Sequence, residues 1–206
     1  MLFLEKTKRI IIPEGVYFVT VNTKDQYPYF REEILCELWI EELRLCKELK
    51  KFELFAFCLN YDHFHMLLRP GKEVDISKVM QCLKRNFSRD ANKIISGDIL
   101  VTAIPQSRLG ANMDSRLQEG GQTFGRLQKE HQGFVQKLKD KFSHKYDHSS
   151  SFPRFFWQQS FYDHVIRDER DLEEHYKYTA YNFDKHELPK DWKYTSLNFT
   201  DLLDEL

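Results

Sequence analysis

Residues 52–68 read FELFAFCLNYDHFHMLL, and this stretch predicts a β-hairpin. The runs 52–59 and 63–68 are dense in aromatic and aliphatic residues, which is typical of strands. Between them, the tripeptide 60–62 is a short polar break that suits a tight turn. The sequence therefore predicts two antiparallel strands that pair directly with each other.

Segments on either side of the hairpin continue the pattern of strands and helices. They are a strand over 15–23, helices over 31–50 and 75–95, an extended segment or strand over 152–162 and a final helix over about 168–183. Asp168 is the predicted N-cap of the final helix. This order is that of the ferredoxin-like arrangement, an α+β fold in which an antiparallel sheet has its helices packed on one face.

Residues 97–151 differ in composition from the rest of the chain. They are rich in glycine and serine and poor in aromatic residues, and they contain one polar helix near 125–142. We interpret them as an inserted arm in a single domain that spans residues 1–206. We expect the fold not to depend on this arm.

The overall composition fits one globular domain of the cytoplasm. Of the 206 residues, 41% are hydrophobic and 15% are aromatic, which is typical of a folded chain. No run approaches the ~20 apolar residues of a membrane-spanning helix, and the charged N-terminus does not fit a signal peptide. The net charge of −1 leaves any DNA contact to a local basic surface. The cysteines are expected to be reduced core residues: Cys36, Cys46, Cys58 and Cys82.

The second strand of the hairpin contains a pair of candidate metal ligands. Because side chains alternate along a strand, His63 and His65 point to the same face. Two imidazoles one strand repeat apart can bind one metal ion together. Taken alone, the pattern also fits two half-exposed surface histidines.

The final helix contains a second group of polar residues. Residues three and four apart share a helix face, so His175, Tyr178 and Asn182 are predicted to align. The side-chain oxygen of Asn182 suits a hard divalent ion one turn beyond the phenol. The same residues also fit a partly exposed aromatic helix that ends at an asparagine C-cap.

Several segments together resemble a known family. They are the strand with His63 and His65, the helix from Ile76 to Phe87, the segment FWQQSFYDHVIR over 156–167, the final helix and the tail WKYTS over 192–196. In this order they are similar to tyrosine transposases of the HUH superfamily, and most similar to the REP-associated branch related to the single-tyrosine insertion-sequence transposases. The resemblance covers roughly residues 10–96 and 152–200.

The resemblance implies a role for each matching residue. Tyr178 falls on the family's nucleophilic tyrosine. The family's metal ligands fall on His63, His65 and Asn182, and such imidazole and amide donors suit Mg²⁺ or Mn²⁺. The implied activity is that of a transposase that cleaves and rejoins single-stranded or hairpin DNA through a covalent 5′-phosphotyrosine bond. The relatives include homodimers and monomers.

Three features depart from the family pattern. Thr179 stands where the family usually has isoleucine, and Phe183 stands where it usually has proline. Neither change removes a reacting group. The long segment 97–151 is also unusual, so details of DNA recognition are not carried over.

Other residues are expected to support this site. His164 and His175 would orient the metal ligands without binding the ion. Lys84, Arg85, Arg89 and Arg167 are candidate phosphate contacts, although each also fits a solvated helix face. The aromatic residues 155–157 suit either stacking on unpaired bases or packing in the core.

Three other functions remain compatible with the sequence. They are a catalytically silent module that binds hairpin DNA or RNA, a metal-dependent nuclease that uses water, and a small structural α+β domain. Tyr162 is a second candidate nucleophile because Asp163 and His164 follow it. We favour Tyr178, because only that phenol has an oxygen ligand four residues later, and we expect Tyr162 to pack at the end of its strand.

Overall fold

The computed structural model describes residues 11–96, 121–146 and 152–206. In chain order, the elements are β1 (Tyr17–Asn22), α1 (Glu33–Lys50), β2 (Glu53–Leu59), β3 (His63–Arg69), α2 (Ile76–Ser96), α3 (Gly121–Lys145), β4 (Tyr162–Val165), α4 (Glu169–Ala180) and α5 (Asn182–Lys185). Residues 152–161 contain no helix or strand, only an isolated bridge between Thr23 and Trp157, so the strand predicted within 152–162 lies instead at Tyr162–Val165. None of the helices in these residues is long and apolar enough to cross a membrane.

The four strands form one antiparallel sheet in the order β2-β3-β1-β4. This is the strand order of the ferredoxin-like arrangement, and the predicted fold class is confirmed. Thr20 on β1 lies opposite His65 on β3 and Tyr162 on β4. The register therefore places these three side chains in one row across the sheet.

Both faces of the sheet are covered by helices, which corrects the expectation that the helices pack on one face. On one side, alternate strand residues such as Val19 and Met66 join the main core with α1, α2 and α3. On the other side, Phe18 and Leu67 form a smaller apolar cluster against Leu172 and Tyr176 of α4. Since the strands carry apolar residues on both faces, a second helical layer is needed to bury them.

The predicted arm does not stand apart from the domain where the structure describes it. Helix α3 packs against α1 and α2, and Val135, Leu138 and Phe142 are buried in the main core. This packing argues against the expectation that the fold does not depend on α3, and that expectation stays a prediction. The remaining arm residues, 97–120 and 147–151, lie outside the described residues.

The final helix begins as predicted and ends earlier. The Asp168 side chain caps α4 by accepting a hydrogen bond from the Asp171 backbone N–H at 2.9 Å. The helix ends at Ala180 because Tyr181 leaves helical geometry, with φ −110° and ψ 17°. Asn182 therefore begins the short helix α5 and does not continue α4.

The four cysteines are free thiols, as predicted. Cys36, Cys46 and Cys58 are buried, and Cys82 is partly exposed. The Sγ atoms of Cys46 and Cys82 lie 3.1 Å apart, between α1 and α2.

Candidate active site

Two histidines lie next to each other on the face of β3 that α4 covers. The neighbours Phe64 and Met66 point into the main core, so His63 and His65 point to the opposite face. Their ring centroids are 4.9 Å apart, and only 9% of His63 and 4% of His65 is exposed. The alternation of the strand has thus brought two imidazoles together in a nearly closed environment.

Two neighbouring side chains hold the His63 ring. Its Nδ1–H donates to Asp62 Oδ1 at 2.5 Å, and this hydrogen bond lowers the pKa of Asp62. The Nε2 atom accepts a hydrogen bond from Asn60 Nδ2 at 3.0 Å. The carboxylate therefore fixes the tautomer in which Nε2 carries a lone pair, as second partners of metal-binding histidines commonly do.

His65 also presents one free nitrogen. Its Nδ1 pairs with Thr20 Oγ1 at 2.8 Å, while its Nε2 is buried and has no hydrogen-bond partner in the described part of the chain. Burial lowers the pKa of His65 to about 3, with further contributions from the charges of His63 and His186. The ring is therefore neutral near pH 7, and a buried nitrogen without a hydrogen-bond partner among the described residues faces the site.

Asn182 reaches the histidine pair by a different route from the one predicted. The helical register from Tyr178 is interrupted at Tyr181, yet Asn182 is only 2% exposed. Its Oδ1 accepts a hydrogen bond from Asn60 Nδ2 at 2.8 Å, and the same donor contacts His63 Nε2. Two acceptor atoms, an amide oxygen and an imidazole nitrogen, thus converge on one point.

His186 is a site residue that the sequence analysis missed. One ligand atom from each of His63, His65 and His186 lies within 4.8 Å of the other two, a separation that suits one metal ion. The His186 ring lies 4.6 Å from that of His63, and burial lowers its pKa. A signal was present in the sequence, because Tyr178, Asn182 and His186 follow one another at intervals of four residues.

Tyr178 lies beside the histidine pair and remains open to solvent. Its ring centroid is 5.3 Å from that of His65 and 5.7 Å from that of Phe18, and 37% of the residue is exposed. The Lys185 ammonium lies 4.8 Å from the ring centroid and donates to the phenol oxygen at 3.4 Å. The phenol therefore sits between the buried imidazoles and a surface cation.

The predicted supporting histidines form a separate cluster around Asp171. His164 Nε2 donates to Asp171 Oδ2 at 2.9 Å, and His175 Nδ1 lies 3.0 Å from Asp171 Oδ1. The two imidazole rings stack 4.6 Å apart. Phe18 contacts both His175 and His65, so its ring lies between this cluster and the histidine pair.

The predicted phosphate contacts do not form one surface. Arg89 pairs with Asp90 at 2.5 Å, and Lys84 donates to the backbone oxygens of residues 158 and 160, whereas Arg85 is exposed. These three residues belong to α2, which packs on the sheet face opposite the histidines. Arg167 precedes α4, and its side chain is 74% exposed.

Tyr162 does not pack at the end of its strand, contrary to expectation. It is 61% exposed at the start of β4. Through Thr20, it shares a sheet face with His65, two strands away. It therefore serves as a matched control for the phenol of Tyr178.

Comparison with known proteins finds a family similarity over part of the chain. Residues 14–97 match a family model described as "Transposase IS200 like". This match covers less than half of the chain and shows a similarity to that family over the strands and helices before residue 98. The matched residues include His63 and His65 and end before the helix that contains Tyr178.

Two relatives extend the similarity beyond the matched segment. A Haemophilus influenzae protein named as a REP-associated tyrosine transposase is 26% identical over 169 residues, which cover 82% of this chain and 69% of that protein. The solved structure of a REP-associated tyrosine transposase bound to a REP hairpin has a TM-score of 0.51 and 17% identity. That match covers 96% of this chain and 84% of the other, and it shows a common fold.

Proposed function

We propose that this protein is a transposase that cleaves and rejoins single-stranded DNA through a covalent bond between Tyr178 and a 5′-phosphate. The observation that carries the proposal is the position of the Tyr178 ring, 5.3 Å from the ring centroid of His65 with 37% of the residue exposed. A phenol that is both beside a histidine pair and open to solvent can meet a phosphate of a bound strand.

One Mg²⁺ or Mn²⁺ ion is proposed to bind at His63, His65 and Asn182, and His186 would complete the set. Support comes from the buried, unpartnered Nε2 of His65 and from the close approach of the three histidines. The oxygen of Asn182 and Nε2 of His63 also converge on one donor, Asn60. Mixed imidazole and amide ligands suit Mn²⁺ and admit Mg²⁺. When bound, such an ion polarises the scissile phosphate and stabilises charge on its oxygens.

The covalent step exchanges one phosphate ester bond for another. The Oη atom of Tyr178 bonds to phosphorus, and the bond from phosphorus to the 3′ oxygen breaks. The phenol gives its proton to solvent, and the leaving 3′ oxygen takes one up to become a free hydroxyl. The Lys185 ammonium, 3.4 Å from Oη, offers positive charge to the phosphate oxygens beside the reacting atom. Because the ester is retained, the reverse step rejoins a strand without ATP.

The DNA is proposed to be a hairpin with an unpaired flank. One supporting fact is that the solved relative is bound to a REP hairpin. Another is Phe156, which is 46% exposed, with Lys24 at 5.7 Å and Arg154 at 5.4 Å from its ring centroid. An exposed ring between two cations can stack on an unpaired base while the cations meet phosphates. Phe155 and Trp157 pack in the core and are not proposed to contact DNA.

Incubation with a 3′-labelled single-stranded hairpin and Mn²⁺, followed by denaturing electrophoresis, tests the proposal. We expect a labelled protein–DNA adduct that requires the metal and is absent in Tyr178→Phe. A nuclease that uses water would release labelled fragments without an adduct. A silent binding module would retard the DNA on a native gel without cutting it. Either of these results would refute the covalent mechanism.

A further inference from the structure

A second group of metal-ligating side chains lies far from the proposed active site. Glu42 of α1, Asp90 of α2 and His131 of α3 meet where the three helices pack together. Only 0%, 1% and 6% of these residues is exposed, respectively. The helices cover the sheet face opposite His63 and His65, so the cluster takes no part in the proposed DNA chemistry.

The distances from His131 to the two carboxylates fit ligands of one small divalent ion. Nε2 of His131 lies 3.2 Å from Oε1 of Glu42 and 3.3 Å from Oδ2 of Asp90. Charge-assisted hydrogen bonds are usually shorter, at about 2.7–2.9 Å. Neighbouring ligands of a tetrahedral ion with bonds of about 2.0–2.1 Å lie about 3.3 Å apart. The separations therefore match ligands that surround an ion better than they match ion pairs.

The Glu42 carboxylate provides an independent indication of a ligand. Both of its oxygens are buried, and neither has a hydrogen-bond partner within residues 11–96, 121–146 and 152–206. A buried carboxylate without hydrogen bonds is costly, and burial accordingly raises the pKa of Glu42. A cation between Glu42 and His131 would remove this cost.

We propose that Glu42, Asp90 and His131 bind one structural divalent ion, with Zn²⁺ as the preferred metal. Two carboxylates and one imidazole are common Zn²⁺ donors, and the second oxygen of Glu42 supplies a fourth. Arg89 and Lys93 donate to Asp90 from outside the cluster and orient that carboxylate. Because the cluster is buried and substrates cannot reach it, the ion would stabilise the packing of α3 on α1 and α2.

The alternative to a metal ion is a protonated His131 between the two carboxylates. Burial alone would lower the pKa of His131, but the nearby carboxylates of Asp90, Glu41 and Glu42 raise it to about 11 in the absence of metal. The imidazolium would then balance the carboxylates without any ion. Metal content and metal-dependent stability separate the two occupants, because only the ion is removed by a chelator.

The test uses the full chain with His63→Ala and His65→Ala, which disables the metal site proposed for DNA cleavage. After dialysis against Zn²⁺ and removal of the excess, we expect about one Zn²⁺ per chain and a melting temperature that falls when a chelator is added. Adding His131→Ala should remove the bound Zn²⁺. The matched control His144→Ala, an exposed histidine of the same helix, should keep it.

Two further measurements do not depend on whether His131→Ala folds. Glu42→Gln keeps the volume of the side chain and should also lose Zn²⁺. Co²⁺ substituted into the His63→Ala, His65→Ala chain should give the strong visible absorption of a tetrahedral site. Zn²⁺ binding that survives both His131→Ala and Glu42→Gln would show an adventitious ion only. If the chain takes up no Zn²⁺ and its melting temperature does not change with the chelator, His131 is protonated instead, and the proposal is overturned.

Discussion

Nδ1 of His63 donates a hydrogen bond to Asp62 Oδ1 at 2.5 Å, and this contact orients the imidazole so that Nε2 faces the site. Asp62→Asn removes the charge that holds this tautomer. We expect the affinity for Mn²⁺ to fall about 10–100-fold, which is typical when the partner of a metal-binding histidine is lost. Isothermal titration with Mn²⁺ in the presence of hairpin DNA measures the change. The exposed carboxylate Asp25 provides the control Asp25→Asn, and equal affinity in the two variants would show that Asp62 does not orient a ligand.

His186 is predicted to contribute to the same metal site. Its ligand atom lies within 4.8 Å of those of His63 and His65, although its side chain is exposed. His186→Ala should weaken Mn²⁺ binding about tenfold or more, since it removes a donor atom. The same titration with His144→Ala serves as the control. Wild-type affinity in His186→Ala would limit the metal ligands to His63, His65 and Asn182.

Helix α3 is predicted to contribute to the stability of the whole domain. Leu138 is 1% exposed in the main core, so Leu138→Ala should lower the free energy of unfolding by about 2–5 kcal/mol. Gln132→Ala, on the exposed side of the same helix, should change it by less than about 0.5 kcal/mol. Urea unfolding followed by circular dichroism compares the two. A negligible effect of Leu138→Ala would restore the original interpretation of a dispensable arm.

Asp171 should make the stability depend on pH in the acid range. Burial alone would raise its pKa, but hydrogen bonds from His164 and the Arg167 backbone lower it to about 2. Because the folded-state pKa lies below the unfolded value of about 3.9, the carboxylate stabilises the fold above that value. This contribution is lost as the pH falls toward 2. Asp171→Asn should therefore be destabilised at neutral pH, and its difference from the wild type should shrink between about pH 4 and pH 2.

Urea titrations across this pH range measure the difference. Glu169→Gln changes an exposed carboxylate in the first turn of the same helix and controls for the loss of a negative charge there. A difference between Asp171→Asn and the wild type that stays constant with pH would mean that the carboxylate is not held in its ionised form.

Local sequence patterns were enough to predict the first three strands of the sheet and the position of the histidine pair. The alternation around His63 and His65 sets which face they share, and it depends only on the geometry of a strand. The capping role of Asp168 is likewise local, since its partner Asp171 lies three residues away. Such features need no knowledge of how distant segments pack.

Other features depend on contacts between distant segments and were missed. The sequence analysis assumed an unbroken helix from Tyr178 to Asn182, which would place both side chains on one face. The helix breaks at Tyr181, and Asn182 is instead positioned by its hydrogen bond with Asn60. The buried stripe of α3 has a helical spacing, at residues 131, 135, 138 and 142. The residues between these positions are mostly polar, so the sequence analysis did not recognise the stripe as a buried face. The packing of α3 on α1 and α2 depends on tertiary contacts that local patterns do not show.

The nucleophile is the central claim, and peptide mass spectrometry of the trapped protein–DNA adduct tests it most directly. Tyr178→Phe should abolish the adduct while DNA binding remains, because only the hydroxyl is lost. Tyr162→Phe, which alters an exposed phenol on the same sheet face, should still form it. Digestion of the wild-type adduct should give one modified peptide with the nucleotide on Tyr178. A nucleotide on Tyr162, Tyr176 or Tyr181 would contradict the account.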